Sequence, residues 1–162
     1  MAYFKILLVD DEAALRESLS RLLRVRGYPV NAVSCGEEAL RALDEDDYDV
    51  VVLDLKMPGM NGITTLKEIK KRRSTVEIMI LTGHGSIESA LKTFDLGAHD
   101  YLTKPFDVND LLARIENAGK EKELNDKKDM LDRMIGLRGC GRSKAHAYSG
   151  PVSAVDPKKG TG

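Results

Sequence analysis

The chain has 162 residues, 42% of them hydrophobic and 31% charged, with a formal charge of −1. That length supports one ordinary domain with a good core and excludes two of typical size. A near-neutral charge, and apolar runs far short of the roughly 20 residues of a spanning helix, argue against a nucleic-acid binder and a membrane protein.

The first run of strand character, Ile6-Leu7-Leu8-Val9, stops at Asp10-Asp11. Leu15, Leu19, Leu22 and Leu23 then recur at helical spacing, and Gly27 is a natural stop. Pro29 to Val33 is a second strand, the one run that ends without an obvious reactive group. Ala39, Leu40 and Leu43 mark a short helix over 37–43. Val50-Val51-Val52-Leu53 ends in Asp54, and a helix from Gly62 to Arg72 carries Ile63, Leu66 and Ile69. Its end is cationic, as the helix dipole favours. Ile78-Met79-Ile80-Leu81 ends in Thr82, after which Ser86 can cap a helix presenting Ile87, Leu91 and Phe94, stopped by Gly97. Tyr101-Leu102-Thr103 ends in Lys104-Pro105. Asp107 can cap the last helix, with Asp110 at its third position and Leu111, Leu112 and Ile115 buried.

Five strand–helix repeats within about 118 residues predict a parallel sheet covered on both faces. An eight-fold barrel needs about 250 residues and is excluded. The expected fold is α/β: a doubly wound, five-stranded, flavodoxin-like sheet of order 2-1-3-4-5. Beyond it the character changes. Residues 1–119 carry 20 acidic and 15 basic side chains, a balance of −5, whereas residues 136–162 carry one acidic and five basic, a balance of +4. The expected organisation is a domain over 1–120, a charged helical extension or linker over 121–135, and a disordered basic tail over 136–162. Leu124 and Leu131, seven apart, are too few to establish a coiled coil. The two cysteines, Cys35 and Cys140, form no disulfide framework, and without a secretory leader a reduced, cytoplasmic setting is expected.

Ligands of an open parallel α/β sheet bind outside the carboxyl ends of its strands. Four such ends here carry Asp10-Asp11, Asp54, Thr82 and Lys104, so three carboxylates, a hydroxyl and an ammonium should converge. A hard-oxygen cluster of that kind suits Mg²⁺. Unneutralised, the carboxylates would repel one another and need a cation or Lys104 to offset them. Each residue alone has a plainer reading. Asp10 or Asp11 can cap the following helix, Asp54 can open the turn through Met57-Pro58-Gly59, and Thr82 is an ordinary turn residue before Gly83. Lys104 would be a solvated loop lysine. The joint pattern favours a site.

The segments Leu7-Leu8-Val9-Asp10-Asp11-Glu12, Val52 to Gly62, Leu81-Thr82-Gly83 and Gly97 to Phe106 resemble the receiver domains of two-component response regulators. The resemblance covers roughly residues 3–120 and is closest to receivers of enhancer-binding transcription activators. It implies that Asp54 is the phosphorylation site, taking a phosphoryl group from the histidine of a sensor kinase or phosphotransfer protein. It implies Mg²⁺ held by Asp11, Asp54 and the backbone carbonyl of Lys56, with Asp10 acting through water. Lys104 would pair with a phosphoryl oxygen across a cis Lys104–Pro105 bond. Thr82 and Tyr101 would be the switch, remodelling the face of the fourth helix, fifth strand and fifth helix toward a downstream protein target. Without the resemblance, Tyr101 reads as a half-buried strand aromatic. Lys56 and His84, each two residues past a site residue, would set the lifetime of the acyl phosphate.

On this reading the chain catalyses only its own phosphorylation and dephosphorylation, and it is no turnover enzyme. A homodimer formed on phosphorylation is among the expected partners; a membrane and direct nucleic-acid contact are not. Two alternatives stay open. The chain could be a fragment of a DNA-binding regulator lacking its output domain, with a linker beginning near Lys120. Or it could be an Asp-nucleophile phosphohydrolase, although that class expects an aspartate two residues after the nucleophile and Lys56 stands there.

Overall fold

Strands and helices alternate without exception along residues 4–136, the part of the chain that the computed structural model describes. In chain order they are β1 (Ile6–Val9), α1 (Ala13–Val25), β2 (Val30–Val33), α2 (Gly36–Glu45), β3 (Val50–Leu53), α3 (Gly62–Arg72), β4 (Glu77–Thr82), α4 (Ile87–Asp95), β5 (Asp100–Thr103) and α5 (Val108–Met134). All neighbouring strands are parallel, in the order β2-β1-β3-β4-β5, which is the doubly wound arrangement expected. The reversal of order beside β1 opens a crevice at the carboxyl ends of β1 and β3.

Both faces of the sheet are covered, and the two-residue period of a strand divides its side chains between two cores. Leu7, Val9, Val51, Leu53, Ile78 and Ile80 pack with Ala39, Leu40 and Leu43 of α2 and Leu66 and Ile69 of α3. Ile6, Leu8, Val50, Val52, Met79 and Leu81 pack with Leu19 and Leu23 of α1 and Leu111 and Ile115 of α5. Each such side chain contributes about 1.5–3 kcal/mol by leaving water. Burial of both faces explains why β1, β3 and most of β4 read as unbroken apolar runs. The edge strands β2 and β5 are only half-buried.

α4 differs from its neighbours. Its stripe of Ile87, Leu91 and Phe94 faces outward, with relative exposures of 80%, 61% and 45%, and Thr93 is its one buried residue. In the last helix Asp107 does serve the N-terminus, accepting the Asn109 N–H at 2.8 Å. The Asp110 carboxylate, expected to return to that cap, instead binds Arg114 at 2.8 Å, and Arg114 reaches on to Asp100 of β5 at 2.6 Å. The guanidinium one turn along is a stronger partner for a carboxylate than a lone N–H.

The chain divides after Asn125. In the second part the described residues, 126–136, include the end of α5 with exposed Met130, Leu131 and Met134, and exposed Ile135 just past it. Cys140 and nearly all of the tail expected over 136–162 lie outside the described residues.

Candidate functional site

The sheet ladder delivers the first two acidic positions to one place. Beyond the end of β1, the Asp10 N–H donates to the Val33 carbonyl of β2 at 3.2 Å; beyond the end of β3, the Asp54 N–H donates to the Val9 carbonyl at 3.0 Å. Backbone pairing therefore continues one residue past each strand and fixes where both carboxylates start. Asp10 and Asp54 are almost fully buried, at 1% and 5%, while Asp11 is exposed. Each of the three offers an oxygen within 4.8 Å of the others.

The turn after Asp54 is held by close packing of backbone on backbone. The Gly62 N–H donates to the Leu55 carbonyl at 2.9 Å, and a β-carbon at 62 would stand 2.3 Å from Leu55 Cα and 2.6 Å from the Asp54 carbonyl oxygen. Only glycine fits there. Asn61 caps α3 by accepting the Thr64 N–H at 2.9 Å, so the helix start and the carboxylate-bearing turn are locked together.

Lys104 closes the site from β5. Its N–H donates to the Thr82 carbonyl at 2.9 Å, and the Lys104–Pro105 peptide is cis. Its Nζ donates to Asp10 Oδ2 at 2.9 Å and lies 3.5 Å from both Asp54 Oδ2 and Glu12 Oε1. One ammonium thus serves several carboxylates. Burial pushes the Asp10 carboxyl above the usual carboxylate value, against the Glu12 N–H and the Lys104 bond, which favour its charge. Burial would by itself lower Lys104, but Asp10, Asp54 and Glu12 outweigh it and hold the ammonium above the ordinary lysine value.

The other expected residues surround this cluster. Thr82 is fully buried at the end of β4, and its Oγ1 accepts the His84 N–H at 3.2 Å; the His84 side chain is exposed. Lys56 is exposed, and its N–H donates to Asp54 Oδ1 at 3.3 Å. Tyr101, half-buried, packs against the core that α2 and α3 form with the sheet. Asp10 does both things a lone aspartate there could do: its Oδ1 accepts the Glu12 N–H at 2.9 Å while its Oδ2 meets Lys104.

Sequence reasoning missed three contributors. Glu12 shares Lys104, Arg16 donates to the Asp10 carbonyl at 2.8 Å, and Ser89 touches the Tyr101 hydroxyl. Arg16 sits about one turn past the acidic pair on α1, a spacing that could have flagged it. Nothing local marks Ser89.

Chemically, the arrangement offers hard oxygen donors with more negative charge than one lysine balances, two of the three carboxylates being buried. A family model described as the response regulator receiver domain matches residues 6–116. The chain is 47% identical over 112 residues to the transcriptional regulatory protein CpxR homolog of Haemophilus influenzae, covering 69% of this chain and 48% of that one. It is 38% identical over 110 residues to the DNA-binding transcriptional regulator NtrC of Escherichia coli, covering 68% and 24%. Among solved structures, NtrX from Brucella abortus matches with a TM-score of 0.77 at 30% identity, over 86% of this chain and 32% of that one. The chain spans between about a quarter and two thirds of the length of the curated relatives it matches.

Proposed function

This chain belongs to the response regulator receiver family of two-component systems, and on that premise we propose that Asp54 accepts a phosphoryl group from a sensor histidine kinase or phosphotransfer protein. The observation that carries the reading is the buried Asp54 carboxylate, 3.5 Å from Lys104 Nζ and within reach of oxygens from Asp10 and Asp11. An Asp54 oxygen attacks phosphorus, the bond from phosphorus to the donor nitrogen breaks, and the leaving imidazole keeps the electron pair and takes a proton. The product is an acyl phosphate.

The donor set fits a divalent ion. It is built of hard oxygens, and burial holds Asp10 against its own charge while one lysine is shared. Asp11, Asp54 and the Lys56 carbonyl would hold Mg²⁺, with Asp10 reaching it through water. The chemistry the ion supplies when bound is neutralisation of charge on the phosphoryl oxygens. Lys104 orients and screens the phosphoryl group from the other side as a point charge on a flexible stem. The Thr82 hydroxyl, at the end of the strand beside β3, would turn toward the new dianion. Lys56 and His84 flank the approach and govern how readily water attacks the acyl phosphate.

Readout would run through Thr82 and Tyr101 to the α4–β5–α5 face. The exposed Ile87, Leu91 and Phe94 support a protein target, or a second copy of the chain, docking there. Among the described residues no helix is long and apolar enough to cross a membrane, which is compatible with a cytoplasmic signalling role. Whether the chain works alone or as part of a DNA-binding regulator, the receiver chemistry is the same. A phosphohydrolase would need an acid at position 56, where Lys56 offers its N–H to Asp54.

Incubation with acetyl phosphate and Mg²⁺, followed by intact mass, tests the reading. A gain of one phosphoryl group in the parent chain and none in Asp54→Ala is expected. Equal labelling of both would sink it.

A further inference from the structure

The hydroxyl of Tyr101 lies 2.7 Å from Ser89 Oγ. Ser89 is the third residue of α4, and its side chain already serves the end of that helix. Its Oγ accepts the Ser86 N–H at 3.2 Å and donates to the Ser86 carbonyl at 3.2 Å, while its N–H donates to Ser86 Oγ at 3.0 Å. This is a reciprocal capping box with serine in both places.

A serine hydroxyl has one hydrogen and two lone pairs. With the hydrogen on the Ser86 carbonyl and one lone pair taken by the Ser86 N–H, a single lone pair is left for the tyrosine, so Tyr101 is the donor. A complete capping box therefore leaves one Ser89 lone pair, and the Tyr101 hydroxyl takes it. Gly85 tightens it. A β-carbon there would stand 2.5 Å from Thr103 Cγ2 and 3.0 Å from Tyr101 Oη, so any side chain at 85 must displace the ring or the strand. The loop from β4 to α4 is thus gripped at one end by Thr82 Oγ1, through the His84 N–H, and at the other by Ser86, Ser89 and the tyrosine.

We propose that Ser89 is a positioning residue for Tyr101, and that the first turn of α4 and the seat of the tyrosine form and break as one two-state element. For its consequence the inference rests on the phosphoacceptor reading: a pull on the Thr82 hydroxyl draws the loop, opens the Ser86–Ser89 box and frees Tyr101. The seat itself exists in the unphosphorylated chain and can be tested there.

The full chain is prepared with isotope-labelled tyrosine rings, the Tyr101 signal being assigned with Tyr101→Phe. Ser89→Ala should shift that signal, and Ser89→Thr, which keeps the hydroxyl, should restore it. Hydrogen exchange at the Ser89 and Ala90 amides should quicken about three- to tenfold in Ser89→Ala and in Tyr101→Phe, with no further gain in the double variant. A cap with no link to the tyrosine would leave exchange in α4 unchanged in Tyr101→Phe, and that result, or an unmoved ring signal in Ser89→Ala, overturns the inference. Acetyl phosphate with Mg²⁺ then separates the two levels. No mass gain would defeat the phosphoacceptor reading while the Ser89 result stands; a mass gain with the Tyr101 signal unmoved would defeat the coupling alone.

Discussion

The strands that carry the acidic residues and the edge that faces outward beside them are built to opposite standards. β1 and β3 are buried at every position and paired on both sides, and the ladder runs one residue beyond each of them. α4 and β5 form the looser side: β5 is half-buried, and α4 buries a single threonine while its apolar stripe stays in water. Phosphoryl transfer needs reacting atoms held to fractions of an ångström. A switch needs an element whose two arrangements differ little in free energy. On the proposed reading the molecule separates the two needs by one strand, β4, of the same sheet.

Substitutions can break or sharpen that contrast. The largest effect is expected at the rigid side, where Asp54→Asn keeps the shape but removes the proposed nucleophile, and intact mass after acetyl phosphate treatment should show no adduct. Next, Leu53→Ala in β3 should cost about 2–5 kcal/mol in urea unfolding through the cavity it leaves. Leu91→Ala on α4 should stay within about 0.5 kcal/mol in the same assay. Comparable costs for the two would erase the distinction drawn here.

Asp10→Asn should act in the opposite sense on the metal-free chain. The Asp10 carboxyl is raised above its unfolded value, so its ionised form costs stability, and that cost grows as pH rises through the raised value. Removing the charge should stabilise the metal-free protein at neutral pH, measured by thermal melting. The same variant should lose most of the rise in melting temperature that Mg²⁺ gives the parent. A melting temperature lowered without metal would mean that Lys104 fully compensates Asp10. A modest kinetic effect is expected at Lys56 and His84, where alanine should change the decay of the labelled acyl phosphate severalfold, about 1 kcal/mol in barrier, without preventing labelling. Identical decay in both variants would remove them from the mechanism.

The sheet was legible because strands buried on both faces cannot avoid being apolar, and because each run stopped at a chemically distinctive residue. Asp10, Asp54 and Lys104 could be grouped from strand ends alone, since topology brings those ends together whatever the loops do. The α4 stripe was less legible. Ile87, Leu91 and Phe94 have the spacing of a core-facing helix, and periodicity reports that a face exists without reporting what covers it. Ser89 was illegible for another reason: its partner lies on a different element, and a hydroxyl in a helix N-terminus already has a sufficient local explanation. Arg16 and Glu12 fall between these cases, close in sequence to the acidic pair but recognisable only once Lys104 is seen to arrive from 94 residues away.

The bond from the Asp54 N–H to the Val9 carbonyl has a mechanical meaning. On the proposed reading Asp54 is a nucleophile anchored by its own main chain, which cannot recoil when a bulky dianion is attached to it. On that same reading the load passes to the neighbouring strand β4, where the Thr82 hydroxyl would turn toward the new group. Signal direction is in this sense written into the difference between a stator and a lever.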